Sequence, residues 1–451
     1  TISDMVKKVQ EIINNTTKEI KPFFVLVENF VNNISKEYGN EAFKFIYNKD
    51  TFDASKDSVY YGGPFWDNKE IEAIFTSFIS GKWLSAGESV FKFEREFSKK
   101  FNIENSLMVN SGSSANLVMV AALKKYFNWA NDSEIIVSCV GFPTTINSII
   151  QNNLTPRFVD INYDDLNWDL SQVENSINDN TVAVFCSPVL GNPGNFGRLI
   201  EICEQYNIKL ILDNCDSLGS TYDGKYLNEY SVASSCSFYP AHHITTIEGG
   251  MVSSNISEII DIARSFAWWG RDCYCSGAQN LLCNGMCKKR FDTWLPNYAN
   301  TVDHKYVYTT IGYNLKPIDC LGAIGSVQLS KFDKIHELRI INKTLISDIL
   351  HKIDGVRIIH DSDNCSTSWF GVPIICDSPD LKRKLVAHLE KNRIQTRNYF
   401  AGNVLLHPAY SDIDDYSKYT EANKVLDNVF FLGCSPTINL NMIDYISTVI
   451  D

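Results

Sequence analysis

No apolar run in the 451-residue chain approaches the ~20 residues that a membrane-spanning helix needs. The opening stretch, TISDMVKKVQEIINN, also lacks the apolar core of a signal peptide. Its apolar residues Ile2, Met5, Val6, Val9, Ile12 and Ile13 fall instead at helical spacing. We therefore expect a cytoplasmic protein with no membrane partner. An excess of positive charge is missing too. Asp and Glu number 53 against 41 Lys and Arg, for a formal net charge of −12. A diffuse acidic balance argues against nucleic acid as a partner and leaves any phosphorylated ligand to be held by local donors. There is no internal repeat and no low-complexity linker. Cysteine, by contrast, is plentiful, at thirteen residues. In a reducing compartment, clustered cysteines point to metal or redox chemistry rather than to disulfides.

What is present reads as an α/β protein. With 44% hydrophobic and 21% charged residues the composition is that of a soluble globular chain. Residues 1–60 look like a mostly helical extension. From Tyr61 strand-like and helical patterns alternate. LMVN (107–110), EIIVSCV (134–140), TPRFVDI (155–161), TVAVFCSP (181–188) and IKLILDNCDS (208–217) read as strands, and NFGRLIEICEQYN (195–207) as a helix. Such alternation implies βαβ units and a mostly parallel sheet, so residues 61–335 are expected to form a large domain. Ligands of such sheets bind beyond the carboxyl ends of the strands. The polar clusters SGSS, GFPTT and DNCD sit at those ends. FDKIHELRIINKTLISDILHKI then reads as a long helix leading into a smaller α/β domain, 336–451, with GVPIIC as a strand.

Several residues carry chemistry at those strand ends. SGSSAN (111–116) opens a helix, and Gly and Ser there present free N–H groups and hydroxyls that suit a phosphate, though a plain capping turn explains them too. Asp213 ends a strand, where a buried carboxylate can pair with a pyridinium nitrogen. Phe142 can stack on a flat ring or belong to the core. The loop SFYPAHHITTIEGG, 237–250, has the serine and the small, Gly-rich texture of a cofactor-lysine loop, yet it contains no lysine. His242 and His243 stand in its middle. The stretch GRDCYCSGAQNLLCNGMCKKRF places Cys273, Cys275, Cys283 and Cys287 within fifteen residues. By itself it suits zinc or an iron–sulfur cluster.

Together, the blocks WLSAGESVFKFEREF, SGSSANL, VGFPTTIN, LILDNCDS, SFYPAHHITTIEGG and GYNLKPIDCLGAIG resemble the DegT/DnrJ/EryC1/StrS family of sugar aminotransferases and dehydrases, pyridoxal-type fold I enzymes of the aspartate-aminotransferase kind. The resemblance spans Tyr61 to the C-terminus. It implies a phosphate-binding turn at Gly112 and Ser113, a ring-stacking Phe142 and a pyridine-nitrogen partner at Asp213. It also implies a phosphate ligand at Ser237 and, near the phosphate, Asn314 contributed by the neighbouring subunit of a homodimer. The family's Schiff-base lysine falls on His242. Histidine cannot form that imine but can act as a general base near neutral pH. Pyridoxamine 5′-phosphate, or pyridoxal 5′-phosphate, would then bind without a covalent link, with His242 as base at the C4′ carbon of pyridoxamine phosphate. The alternative is an inactive relative. His243 reads as structural.

The pattern Cys215-x57-Cys273-x-Cys275-x7-Cys283 resembles the iron–sulfur branch of the family, the CDP-4-keto-6-deoxy-D-glucose 3-dehydrases. WGRDCYC, DHKYVYTTIGYNLK, SWFGVPI and TRNYFAGN extend the likeness. The resemblance implies that the four cysteines hold a [2Fe–2S] cluster, with Cys287 as a rival to Cys283 that the spacing disfavours. It implies a nucleotide-diphosphate 4-keto-6-deoxy sugar, most simply CDP-linked, that loses its C3 hydroxyl in 3,6-dideoxysugar synthesis. A partner NADH-dependent flavin/iron–sulfur reductase would supply two electrons. A cluster-free dehydrase or aminotransferase is the competing expectation. Asp216 and Tyr239 are expected to orient cofactor or substrate. Arg397 is expected to meet the diphosphate, since a guanidinium pairs well with phosphate oxygens. One departure stands out: the branch carries an arginine where this chain has Leu406, which puts the nucleotide or the sugar in doubt.

Overall fold

A computed structural model describes residues 52–273, 275 and 288–451, with residues 25, 26, 28–30 and 33 of the amino-terminal extension. Those few extension residues are helical and exposed; the rest of the expected helical extension lies outside the described residues.

The central sheet is built from short apolar runs. Its strands are β1 (Asn105–Val109), β2 (Glu134–Ser138), β3 (Thr155–Val159), β4 (Thr181–Cys186), β5 (Lys209–Asp213), β6 (Ala233–Ser237) and β7 (Gly250–Ser254). Their order across the sheet is β1-β7-β6-β5-β4-β2-β3. The β2–β3, β2–β4, β4–β5 and β5–β6 pairs are parallel, and β7 runs antiparallel to both its neighbours. Strands covered on both faces need continuous apolar runs rather than alternation. β5, KLILD, supplies one: Leu210, Ile211 and Leu212 are all buried. Each such side chain withdrawn from water contributes roughly 1.5–3 kcal/mol.

Helices cover the sheet. α1 (Asn68–Ser80) starts on an Asp67 and Glu70 capping box. α2 (Glu88–Lys100) follows, and α3 (Gly112–Tyr126) leaves β1 and lies almost wholly buried through Ala115, Val118, Met119 and Ala122. α4 (Pro143–Gln151), α5 (Phe196–Gln205) and α6 (Ser257–Ala267) complete the layers. α7 (Asp319–Ser330) packs on α2 at Gly322, where a Cβ would come 2.4 Å from the Val90 nitrogen. α8 (Phe332–Leu350) then runs to a second sheet. That sheet contains β8 (Val356–Ile358), β9 (Gly371–Cys376), β10 (Thr396–Asn398) and β11 (Val429–Gly433), in the antiparallel order β8-β9-β11-β10. α9 (Pro379–Lys391) and α10 (Leu440–Ile450) flank it.

One hydrophobic cluster runs from Leu107 and Ile211 in the first sheet to Val372 and Phe430 in the second. The chain between β10 and β11 also clips onto the end of β2, with Val404 N–H donating to Cys139 O at 2.8 Å and a bridge between Val140 and Asn403. The second sheet is thereby held against the carboxyl edge of the first. No helix among the described residues is long and apolar enough to cross a membrane.

Candidate active site

Five strand ends and the facing edge of the second sheet enclose a cavity of about 720 Å³. Each wall has a local cause. Ser111 caps α3, its Oγ accepting from Ser114 N–H at 3.1 Å. Gly112 follows because nothing larger fits: a Cβ there would lie 2.5 Å from Ser237 Cβ and 2.9 Å from its Oγ. The first-turn N–H groups of α3, the Ser113 side chain and the Ser237 hydroxyl thus come together at one corner. Such a corner matches the size and donor chemistry of a phosphate.

Asp213 sits 5% exposed at the end of β5. Its Oδ2 accepts from Asn116 Nδ2 at 2.8 Å and Thr145 Oγ1 at 2.7 Å, and its Oδ1 from Cys215 N–H at 3.3 Å. Ser235 Oγ donates to Asn116 Oδ1 at 2.5 Å, which turns the Asn116 amide group toward the carboxylate. Oδ2 accepts two short bonds and Oδ1 one long backbone bond, and Asp213 lines the cavity. A protonated pyridine nitrogen fits that carboxylate in donor chemistry. Phe142, the N-cap residue of α4, lines the same cavity with its ring half exposed and edge-on to Phe400 at 5.9 Å.

The lysine-less loop leaves β6 through a tight turn. Tyr239 N–H donates to Ser237 Oγ at 3.3 Å and His242 N–H to Tyr239 O at 2.9 Å, which aims the His242 ring into the cavity. His242 Nδ1 lies 3.5 Å from Asp216 Oδ1 and has no hydrogen-bond partner. Burial, reinforced by the positive charge of Arg339, pushes the His242 imidazole down to about 3. Burial and the neighbouring charge of Asp213 hold the Asp216 carboxyl well above the usual carboxylate range, with Arg339 opposing. Both shifts lead to one state: a neutral imidazole beside a carboxyl that resists ionisation. Tyr239 lies across the cavity mouth, half exposed, its ring 6.5 Å from that of His242. His243 points elsewhere; it is buried, with Nε2 2.8 Å from Ser368 O.

Arg397 lines the opposite wall, its guanidinium 4.2 Å over the Tyr61 ring, with Nη1 donating to Thr396 O at 2.8 Å. Leu406, at the position of the missing arginine, is 40% exposed; it is not among the residues that line the cavity.

Two expected groups are not brought together. Asn314 is exposed and away from the cavity, and its side-chain oxygen accepts from Lys316. A role beside the phosphate therefore requires a second copy of the chain. Of the cysteines, Cys215 lines the cavity, while Cys273 and Cys275 are buried outside it. Cys283 and Cys287 lie outside the described residues. Among the described residues no three His, Cys, Asp or Glu side chains assemble a metal site. The described thiols thus do not by themselves fit a [2Fe–2S] cluster.

Sequence reasoning missed the polar residues that hold Asp213 and the aromatic wall of Phe370, Phe400 and Phe431. Asn116 had a usable signal. It is a fully polar residue on an otherwise apolar, buried helix face, and such a residue is kept only where it has a partner. Arg339 was missed as well. It is 1% exposed on α8 and reaches the peptide carbonyl of His242 itself.

Comparisons with known proteins agree with this construction. The profile of the DegT/DnrJ/EryC1/StrS aminotransferase family matches residues 66–451. The chain is 36% identical over 372 residues to the dTDP-4-dehydro-2,6-dideoxy-D-glucose 3-dehydratase of Saccharopolyspora spinosa, covering 80% of this chain and 79% of that one. It is 33% identical over 425 residues to the lipopolysaccharide biosynthesis protein RfbH of Salmonella typhimurium, covering 92% and 95%. The solved structure of E. coli GDP-4-keto-6-deoxy-D-mannose-3-dehydratase with bound hydrated PLP superposes with a TM-score of 0.76 at 28% identity, over 90% of this chain and all of that one. With β7 the one antiparallel strand of the seven-stranded sheet, the architecture is that of the pyridoxal-phosphate fold type I enzymes. On fold, on length of match and on identity, the chain belongs to the DegT/DnrJ/EryC1/StrS aminotransferase family.

Proposed function

We propose that the protein is a pyridoxamine 5′-phosphate-dependent C3 dehydratase of a nucleotide-linked 4-keto-6-deoxyhexose. One observation carries this reading: His242, where the resemblance puts the family's lysine, lines the cavity, and among the described residues no lysine does. A chain that keeps the cofactor seat but has no amine to hold the cofactor covalently is suited to elimination rather than to transamination.

The cofactor, when bound, supplies an amine for the sugar ketone and a pyridine ring that takes up an electron pair. The chain supplies the rest. Gly112, Ser113 and Ser237 hold the phosphate, Phe142 covers the ring, and Asp213 keeps the pyridine nitrogen protonated. His242 is neutral and accepts a proton at a ring nitrogen. Asp216, its carboxyl pushed well above the usual carboxylate range by burial and Asp213, orients that imidazole, and Tyr239 screens the mouth from water. Arg397 is placed for a diphosphate. In this reading residues 61–335 carry the cofactor and 336–451 close the substrate side through Phe370, Arg397 and Phe431.

The finer parts of the proposal are CDP as the nucleotide, a [2Fe–2S] cluster on Cys215, Cys273, Cys275 and Cys283, a reductase partner and a homodimer that supplies Asn314. They rest on the resemblance carried by the cysteine spacing; the relatives' names carry dTDP-linked and GDP-linked substrates. A second reading is a cluster-free 3-dehydratase on the same cavity, since among the described residues no three metal-ligating side chains come together.

The test of the main reading uses substrate labelled with heavy oxygen at the C3 hydroxyl, linked in turn to CDP, dTDP and GDP. Release of labelled water by protein loaded with pyridoxamine phosphate is expected for one nucleotide. Retention of the label with all three overturns the dehydratase reading. Iron, zinc and sulfide assays on anaerobically purified protein decide between cluster and cluster-free forms.

A further inference from the structure

Arg339 is a buried cation with no carboxylate within ion-pairing distance among the described residues. A well-packed apolar residue of similar volume would be the cheaper choice for stability, because burying a guanidinium costs several kcal/mol of lost hydration, on the order of what a buried ion pair must recover. Its retention therefore asks for a task. The hydrogen bonds show one. Nη2 donates to Ala241 O at 3.2 Å and to His242 O at 3.0 Å. Nη1 donates to Trp369 O at 3.3 Å and to Phe370 O at 3.1 Å. One planar fork on α8 thus grips two chain segments, the loop that carries His242 and the entry to β9. Phe370 then lies against the histidine it helps to fix, with ring centroids 5.1 Å apart.

We infer that Arg339 is a positioning residue for the proposed reaction, clamping the His242 peptide to the second sheet so that the imidazole stays at one place. The inference rests on the reading of His242 as the proton acceptor. A flexible loop with His242 alone would not hold the ring within reach of a reacting carbon, and a displacement of about 1 Å in a positioned group can cost on the order of a hundredfold in rate. The rigid grip comes from the fork: lysine carries the same charge as a single point and cannot reach four carbonyls on two segments. The guanidinium also adds a positive field at the ring, acting with burial.

Other charged and titratable groups face this corner. Asp213, Cys215 and Asp216 come from the end of β5, His243 from the same loop, and His336 from α8 itself. Tyr399 follows β10 and Cys434 follows β11. Of these, only Asp216 lies within 4 Å of the His242 ring as an ion-pairing group.

The test compares wild type with Arg339→Lys and Arg339→Gln. Both variants are expected to lower kcat by about 10- to 100-fold, with KM within about twofold, since no substrate-facing group is altered. A second readout needs no cofactor. In the cofactor-free protein with isotope-labelled histidine, the His242 ring resonance, assigned through His242→Asn, is expected to be a single sharp line in wild type. It is expected to shift and broaden in both variants. Variants that melt at lower temperature yet keep both kcat and the His242 line would make Arg339 merely structural and overturn the inference. If neither variant folds, the wild-type spectrum still decides, because a His242 line that is already doubled or broadened refutes the claim that the clamp holds the ring at one place. The resonance is read without turnover, so a failure of the dehydratase reading shows separately, as retained label in every nucleotide series.

Discussion

Asp213→Asn is the most informative single change at the cofactor seat. The two side chains have the same shape, so the fold is retained while the charge is lost. Oδ2 already accepts from Asn116 Nδ2 at 2.8 Å and Thr145 Oγ1 at 2.7 Å. The Asn amide must therefore turn its oxygen toward those two donors. Its NH₂ then takes the place of Oδ1, beside the Cys215 N–H at 3.3 Å. An acceptor aimed at the pyridine nitrogen becomes a donor. A hydrogen bond to a charged partner contributes about 1.5–3 kcal/mol, so the loss should weaken pyridoxal and pyridoxamine phosphate binding roughly 10- to 150-fold. The cofactor-free protein should melt lower than wild type, because the Asn NH₂ leaves the Cys215 N–H without its acceptor. Fluorescence titration with each cofactor and a thermal melt measure the two effects. A variant that binds both cofactors within threefold of wild type would refute the assignment of Asp213 to the ring nitrogen.

Gly112→Ala should destabilise the protein by ~1–3 kcal/mol by overpacking, since the new Cβ meets Ser237 Cβ at 2.5 Å. The double variant with Ser237→Gly should recover the melting temperature but not the cofactor affinity. His242→Lys should bind pyridoxal phosphate covalently, read as a mass increase that survives borohydride reduction; absence of the adduct would show that position 242 does not face the cofactor carbonyl. His243, buried against Ser368 O and held well below the usual histidine value by burial and then by Arg339, should make the protein acid-sensitive. The unfolded chain gains a proton at His243 below pH ~6.5 while the folded chain does not, so stability falls by about 2 kcal/mol from this residue between pH 7.5 and 5. Urea melts should show the gap between wild type and His243→Gln shifting by that amount across the range, and a pH-independent gap would refute the argument.

Much of this cavity was legible because parallel sheets gather distant sequence at one edge. The residues after β1, β2 and β5 are far apart in the chain, yet each follows an apolar run and each run ends at the same rim, so the clusters holding Gly112, Phe142 and Asp213 could be grouped from the pattern. Ser237 ends a strand of small residues, ASSCS, with no apolar run to announce it, and came from the family resemblance of its loop. The strand GVPIIC was read with the bounds it has in β9, whereas EIIVSCV and TPRFVDI were read two residues too long, because the apolar pattern continues past the last ladder bond. What stayed hidden was whatever the tertiary fold alone brings near. Thr145 and Asn116 reach Asp213 from helices 68 and 97 positions away in sequence. Arg339 grips a loop 97 positions distant from a helix whose pattern announces only amphipathic packing. Asn314, expected from the resemblance to reach the phosphate from a neighbouring subunit, is not among the residues that line the cavity of the single chain.

The histidine at 242 alters the charge of the cavity as well as its nucleophile. A lysine in that place would be a cation next to Asp216, and Asp216 would ionise to meet it. With histidine there, burial and Asp213 act on Asp216 against Arg339 alone, and the carboxyl is pushed up while the imidazole is pushed down. The raised Asp216 is in this sense the counterpart of the missing lysine. The two groups stand 3.5 Å apart, so their protonation is a property of the pair, and a change at one should be read at the other. Asp216→Asn removes the carboxyl's response to whatever charge the cavity receives. If the pair acts as one unit, that variant should show the same kcat–pH profile whether or not His242 is also replaced by Gln, and the two losses of rate should not multiply. Losses that multiply would show that Asp216 acts on substrate or cofactor independently of His242.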